Sequence, residues 1–263
     1  MYDREREFHD HWAADIDPAD VKVHESFSAT TSPEPQWIVS QFGSLRGRRV
    51  LELGAGAGEA SVYFALQGAE VTATDLSSGM LEVVKKVASI HGVTVDTAIC
   101  SADDLSQFGE GSFDIVYAAN LLHHVDIEKT LGEVKRVLKP GGTAGFWDPV
   151  AHNPVINVYR RMASQVRTED EHPIRRQQMK LFTDRFAEVR KEFFWLTALL
   201  IFLKFYLIDQ IHPNEDRYWK RVLREEKALR PVYSPLAALD RVLLRAIPIL
   251  GWWSWNIAVV VRK

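Results

Sequence analysis

The sequence predicts an α/β fold in which a mostly parallel sheet is covered by helices on both faces. Three observations carry this. Between residues 49 and 149, short β-branched apolar runs alternate with segments of helical spacing. A glycine-rich turn, ELGAGAG, joins the first such run to the first helical segment. Two further β-rich runs, FAEVRKEFFWL and WNIAVVVRK, stand on either side of residues 197–254, which are mostly helical in pattern.

Each element has its own signal. RVLELGAG (49–56) starts apolar and ends in glycines, EASVYFALQG has helical spacing closed by Gly68, and AEVTATD (69–75) is β-branched, which together make one βαβ unit. In SSGMLEVVKKVASIHG the serines suit a helix cap and Met80, Leu81, Val84 and Val87 share one side. VTVDTAIC and SFDIVYAAN (112–120) read as the third and fourth strands. Ile127, Leu131, Val134 and Leu138 mark a helix stopped by Pro140 and two glycines, and GTAGFWDP is the fifth strand. AHNPVINVYRRMASQV is helical in pattern, and the sixth and seventh strands are the two late runs.

Composition narrows the function classes. The 263 residues, 46% hydrophobic and 25% charged, suit one large core with a smaller appendage. The start, MYDREREFHDHWAADID, has no apolar h-region or small-residue cleavage site, so a cytosolic location is expected. Cys100 is the sole cysteine, which excludes an internal disulfide framework and a cysteine-based zinc site. Residues 1–150 hold 12 Lys/Arg against 23 Asp/Glu, and residues 151–263 hold 20 against 12. The basic second part suits an anionic neighbour, or only solvated helix faces. No basic motif of the base-reading kind is present, so nucleic acid is not an expected partner, and no obligate protein partner is readable.

The strongest local motif is the turn itself. Glu52, Gly54, Gly56 and Gly58 follow a strand and precede a helix, where glycine lets the backbone turn tightly and approach a ligand. Asp75, at the end of the second strand, suits a carboxylate accepting from two ribose hydroxyls. No GKS or GKT follows, which argues against a P-loop.

With these residues in place, the chain resembles the class I S-adenosylmethionine-dependent methyltransferases, especially the small-molecule group of ubiquinone and menaquinone type (methyltransferase type 11). VLELGAGAG, VTATDLSSGML, CSADDL, FDIVYAANLLHHV and VLKPGGTAGFWDP stand in the family's order over residues 48–150. The resemblance implies a Rossmann-like seven-stranded, mostly parallel sheet with a helical cap before it and a helical insertion between strands six and seven. It also implies S-adenosylmethionine as cofactor. Gly54, Ala55 and Gly56 would run along its methionine part, Glu52 would position the loop and amino group, Asp75 would hold the ribose, and Leu76 and Met80 would flank the adenine. Ser101 departs from the family's Asp, so Ala102 and Asp103 or Asp104 would complete the adenine contacts. Asn120 would receive the amino end.

Methyl transfer to a hydroxyl or carbon acid needs a base. His123, His124, Asp148 and His152 follow carboxyl ends of strands and are the candidates, with shaping of the site or helix capping as the structural alternatives. His9 and His11 resemble half a metal site but read better as a surface helix, and no metal is expected. Tyr2 and His9 are further candidates to close the site.

The expected organisation is an N-terminal helical cap over 1–45, a cofactor-binding domain over 46–195 and 254–263, and a hydrophobic, basic insertion over 196–253 acting as acceptor lid. The run Phe193 to Ile208 is 16 residues, about 24 Å as a helix, whereas a membrane span needs about 20 residues. It suits a lid, a peripheral membrane contact or a core helix. The expected activity is methyl transfer to a small lipophilic acceptor, anionic or membrane-associated. The alternatives are a polar metabolite or natural product as acceptor, and a non-catalytic cofactor-binding scaffold.

Overall fold

The computed structural model describes residues 2–163 and 171–263, with side chains from Glu5 onward. Helices α1 (Tyr2–Ala14), α2 (Val23–Ser28) and α3 (Pro33–Phe42) precede the sheet. Its strands are β1 (Arg49–Leu53), β2 (Glu70–Asp75), β3 (Asp96–Ile99), β4 (Phe113–Ala119), β5 (Leu138–Pro149), β6 (Glu188–Phe194) and β7 (Asn256–Arg262). Their spatial order is β3-β2-β1-β4-β5-β7-β6, with β1 to β5 parallel and β7 antiparallel to both neighbours. The order reverses between β1 and β4, so their carboxyl ends frame the crevice where such sheets bind ligands.

Local chemistry explains the elements between the strands. Helix α4 (Glu59–Leu66) follows the glycine turn, and α5 (Ser78–Ile90) is capped by Ser77, whose hydroxyl accepts from the Met80 N–H at 3.0 Å. Asp126 caps α6 (Ile127–Val137) through the Lys129 N–H, and Asn153 caps α7 (Pro154–Met162) through the Ile156 N–H, both at 3.1 Å. The short α8 (Met179–Thr183) leads into β6. Val50, Leu51 and Leu53 of β1 are all buried, as expected of a central strand covered on two faces.

Two boundaries differ from the sequence reading. Helix α6 stops at Val137 and β5 already begins at Leu138, because Leu138 pairs with Phe113 and the Gly141 N–H donates to the Lys263 carbonyl at 3.1 Å. The Pro-Gly-Gly stretch is absorbed as an irregularity in the β4–β5 pairing, where the register shifts between Phe113 and Ile115. At the third strand only Asp96–Ile99 finds a partner, in β2.

After β6, Trp195 takes a left-handed φ of 65°, and the Asp240 carboxylate accepts from the Leu196 N–H at 2.9 Å and the Thr197 N–H at 2.6 Å, turning the chain off the sheet. Helices α9 (Leu200–Leu207), α10 (Tyr218–Arg224) and α11 (Glu226–Ala246) follow. Ile201, Phe202 and Phe205 of α9 are buried in a cluster with Tyr159, Trp195, Tyr218 and Tyr233, while Leu200, Leu207 and Ile208 are exposed. Among the described residues no helix is long and apolar enough to cross a membrane.

Candidate active site

A cavity of about 330 Å³ opens at the carboxyl edge of β1, β4 and β5. Its floor is the glycine turn, with Gly54, Ala55, Gly56 and Ala57, together with Tyr117, Ala119 and Asn120. One wall comes from α1 to α3 through Phe8, Trp12, Phe27 and Glu34, and the other from Trp195, Arg217, Trp219, Val222, Leu223 and Trp255. The chain folds this way because Gly54, Gly56 and Gly58 hold φ of 64°, 52° and 88°, which turn β1 sharply into α4. A Cβ on Gly54 would stand 2.9 Å from Leu121 Cδ1, whereas one on Gly56 would meet nothing within 4 Å. Gly54 is thus a packing position, and Gly56 presents open backbone.

Two carboxyl groups brace this loop. Glu52 is buried and accepts from the Ser61 hydroxyl, and burial pushes its pKa up to about 8. Asp75 accepts from the Gly56 N–H at 3.0 Å and the Ser77 N–H at 2.9 Å, tying the turn after β1 to the turn after β2. Burial raises its pKa too, against those hydrogen bonds.

The candidate bases separate cleanly. His123 sits in a 3-10 turn, Leu122–His124, beyond β4, and its Nδ1 lies 2.7 Å from Oδ1 of Asp148 on β5. The His123 N–H also donates to that oxygen at 3.2 Å, and Asp148 Oδ2 has no hydrogen-bond partner. Burial holds the Asp148 pKa well above the usual carboxylate range. His124 Nδ1 lies 3.3 Å from Glu5 Oε1 of α1, and His9 Nε2 is 3.2 Å from the same oxygen. His123, His124 and Glu171 bring potential ligand atoms within 4.8 Å of one another, an arrangement able to accept a cation.

Glu52, Gly54, Ala55, Gly56, Asn120, His123 and His124 line the cavity, and Asp148 stands directly behind His123. Other expected residues lie off the cavity. His152 is not on the cavity: its Nε2 accepts from the Arg176 N–H at 3.5 Å and its ring meets Trp252 edge-on. Met80 is fully buried in the core face of α5, Leu76 is half-buried, and neither lines the cavity, because α1 covers this flank. Asp10 of α1 accepts from the Ser77 hydroxyl at 2.5 Å and the Gly79 N–H at 3.2 Å. The same cover keeps Asp75 off the cavity wall. Gly58 packs against Val84 at the start of α4, Ala102 is core, and the Ser101 hydroxyl donates to Asp103 at 2.5 Å away from the cavity. His9 faces the cavity while His11 is exposed, and the Tyr2 side chain lies outside the described residues.

Sequence reasoning missed Glu34, Glu171, Trp195 and Arg217. Glu34 is buried and accepts from Asn256 Nδ2 at 2.6 Å, and burial pushes its pKa up to about 7. Only the Pro-Glu-Pro start of α3 hints at it. Within residues 195–253, Trp195 and α10 form the cavity wall, and α9 packs behind it, Phe202 lying 4.7 Å from Trp255.

Comparison with known proteins agrees with this geometry. Residues 51–146 match the family described as methyltransferase domain. A ubiquinone biosynthesis O-methyltransferase of Bordetella avium is 34% identical over 120 residues, 45% of this chain and 49% of that protein. The chain thus spans about half the length of the curated relatives it matches. A Haemonchus contortus phosphoethanolamine N-methyltransferase 2, solved with phosphomonomethylethanolamine and S-adenosylhomocysteine, superposes with a TM-score of 0.58 at 22% identity, over 86% of this chain and 51% of that one. A Haloferax volcanii methyltransferase solved with its Trm112 activator superposes with a TM-score of 0.61 at 18% identity, over 97% and 96%. At such identities the superpositions establish the fold.

Proposed function

We propose that this chain, whose residues 51–146 match the methyltransferase-domain family, transfers a methyl group from S-adenosylmethionine to a small amphipathic acceptor. The observation that supports this best is the continuity of the cavity, which runs from Gly54, Gly56 and Asn120 at one end to Trp195, Trp219 and Trp255 at the other. A scaffold that merely held the cofactor would not need the second end.

The residues fit the cofactor. Gly56 offers backbone beside open space, Asn120 holds a left-handed φ of 51° at the end of β4, and the Glu52 carboxyl lies beneath the loop. Glu52 would position the amino group, and Asp75 would hold the ribose once α1, which covers its flank through Asp10, moves aside. When bound, the cofactor supplies a methyl group made electrophilic by its sulfonium. The chain's own part is to orient, to exclude water and to take a proton. With Asp148 ionised and accepting from the Nδ1–H of His123, Nε2 would be the nitrogen that takes the proton of an acceptor hydroxyl. The aromatic walls keep water out.

A lipophilic acceptor with a hydroxyl group suits the apolar wall, and the quinone-pathway name of the relatives points the same way. The exposed apolar side chains of α9 and α11, including Leu207, Ile208, Val242 and Trp253 just beyond, with the basic excess of residues 151–263, support peripheral contact with an anionic membrane surface from the cytoplasmic side. The test is calorimetry with S-adenosylmethionine, followed by radiolabelled methyl transfer into fractionated small-molecule extract. Absence of cofactor binding would overturn the reading, and label entering only polar metabolites would overturn the acceptor class.

A further inference from the structure

Arg217, at the start of α10, is half-buried in the cavity wall opposite the glycine turn. Its guanidinium carbon lies 4.3 Å from the ring centre of Trp12 and 6.0 Å from that of Phe8. Among the described residues no carboxylate lies within ion-pair distance of it. Its neighbours Arg221 and Arg224 are paired, with Asp209, Asp216 and Glu225. Arg217 differs from them in facing the cavity.

Burial of a cation beside two aromatic faces is costly, and the π contacts offset only part of that cost. Burial depresses the Arg217 pKa, while the acids of the cavity are otherwise engaged: Glu5 with His9 and His124, Glu34 with Asn256, Glu52 with Ser61, Glu59 near Lys220, and Glu171 beside His123 and His124. Stacking a guanidinium on an indole leaves its edge, with the N–H fork, directed along the ring plane, the geometry that suits a carboxylate or phosphate.

We infer that Arg217 binds an anionic group, carboxylate or phosphate, on the acceptor, so that the acceptor is an amphipathic acid lying between Arg217 and the methyl-transfer end. This rests on the reading of the cavity as an acceptor site. The acid fixes one end of the molecule on α10, the aromatic wall takes its apolar body, and the reacting group is presented towards His123. One competing source has the same chemistry, the cofactor's own carboxylate.

The experiment uses the protein loaded with S-adenosylhomocysteine, titrated with 4-butylbenzoate and with the uncharged 4-butylbenzamide, reading heat and tryptophan fluorescence. The benzoate is expected to bind at least tenfold tighter, and Arg217→Gln to erase that preference while S-adenosylhomocysteine affinity changes less than twofold. Arg217→Lys, which keeps the charge but not the fork, retains an intermediate preference and guards against a folding defect. Equal binding of the two probes by the native protein, or a preference that survives Arg217→Gln, overturns the inference. So does a tenfold loss of S-adenosylhomocysteine affinity in Arg217→Gln without loss of methylthioadenosine affinity, since that assigns Arg217 to the cofactor. Failure of the native protein to bind S-adenosylhomocysteine at all would instead sink the methyltransferase reading.

Discussion

Asp148 Oδ1 stands 2.7 Å from the ring nitrogen Nδ1 of His123 and 3.2 Å from its backbone nitrogen, so one buried oxygen fixes both the ring and the turn that carries it. A histidine held this way keeps one tautomer and one orientation. Asp148→Asn disturbs the tautomer without changing shape. Turnover is expected to fall about 10²-fold or more, and His123→Ala to match it, while S-adenosylhomocysteine affinity stays within about threefold. Single-turnover rates beside calorimetry check this; parallel loss of binding and rate would make the pair a shaping element.

Asp75→Ala removes the acceptor for two backbone N–H groups as well as the carboxylate assigned to the ribose. Charge-assisted bonds contribute about 1.5–3 kcal/mol each, so cofactor affinity is expected to drop at least ten- to a hundredfold. Asp75→Asn, which keeps one oxygen, should lose less. Unchanged affinity in Asp75→Ala would remove this residue from the site.

Glu34 gives a pH dependence with a definite sign. Its folded pKa of about 7 exceeds the ordinary glutamate value, so the unfolded chain releases the proton first. Below the ordinary value both states are protonated and nothing is lost. As pH rises towards 7 stability falls, by about 3 kcal/mol in total for this group, and above it the loss is complete. Glu34→Gln keeps an oxygen for Asn256 and should flatten the pH dependence of chemical denaturation between pH 4.5 and 7. A slope identical to the native protein's would show that Glu34 ionises normally.

Adjacent residues on α9 should behave oppositely. Phe202 is 2% exposed and packs among Tyr159, Tyr218 and Trp255, so Phe202→Ala should cost about 3–5 kcal/mol in denaturant unfolding. Leu203 is 37% exposed, and Leu203→Asp should cost less than about 1 kcal/mol while reducing flotation with anionic vesicles at low salt. A native protein that never floats would remove the membrane contact and leave the fold intact.

The floor of the cavity was legible because it is local: Glu52, Gly54 and Gly56 lie within one strand-turn-helix, and alternating strands and helices fix where that turn goes. Met80 was legible as a core residue. Its spacing with Leu81, Val84 and Val87 already marked it as core, and the structure agrees with the spacing. Glu34, Trp195, Arg217 and Asn256 were not legible because their meeting depends on α1 to α3 and the insertion closing from opposite ends of the chain. No periodicity within a segment records such an encounter. His152 lies off the cavity for a related reason: following a strand end places a residue at that edge of the sheet, but the next turn sets which side it faces.

Arg217 and Lys220 each place a cation 4.3 Å from the centre of the Trp12 ring, so the first helix of the chain packs on the tenth. The same helix covers the flank beside Asp75 through Asp10 and lines the acceptor end through Phe8 and Trp12. One wall therefore serves both ligands. A ligand that secures α1 in place lowers the work the second must do to close it, and thermodynamic reciprocity then requires each to tighten the other by the same factor. Cofactor and acceptor are expected to bind as a cooperative pair, and Trp12→Ala to reduce the coupling between them more than either affinity alone.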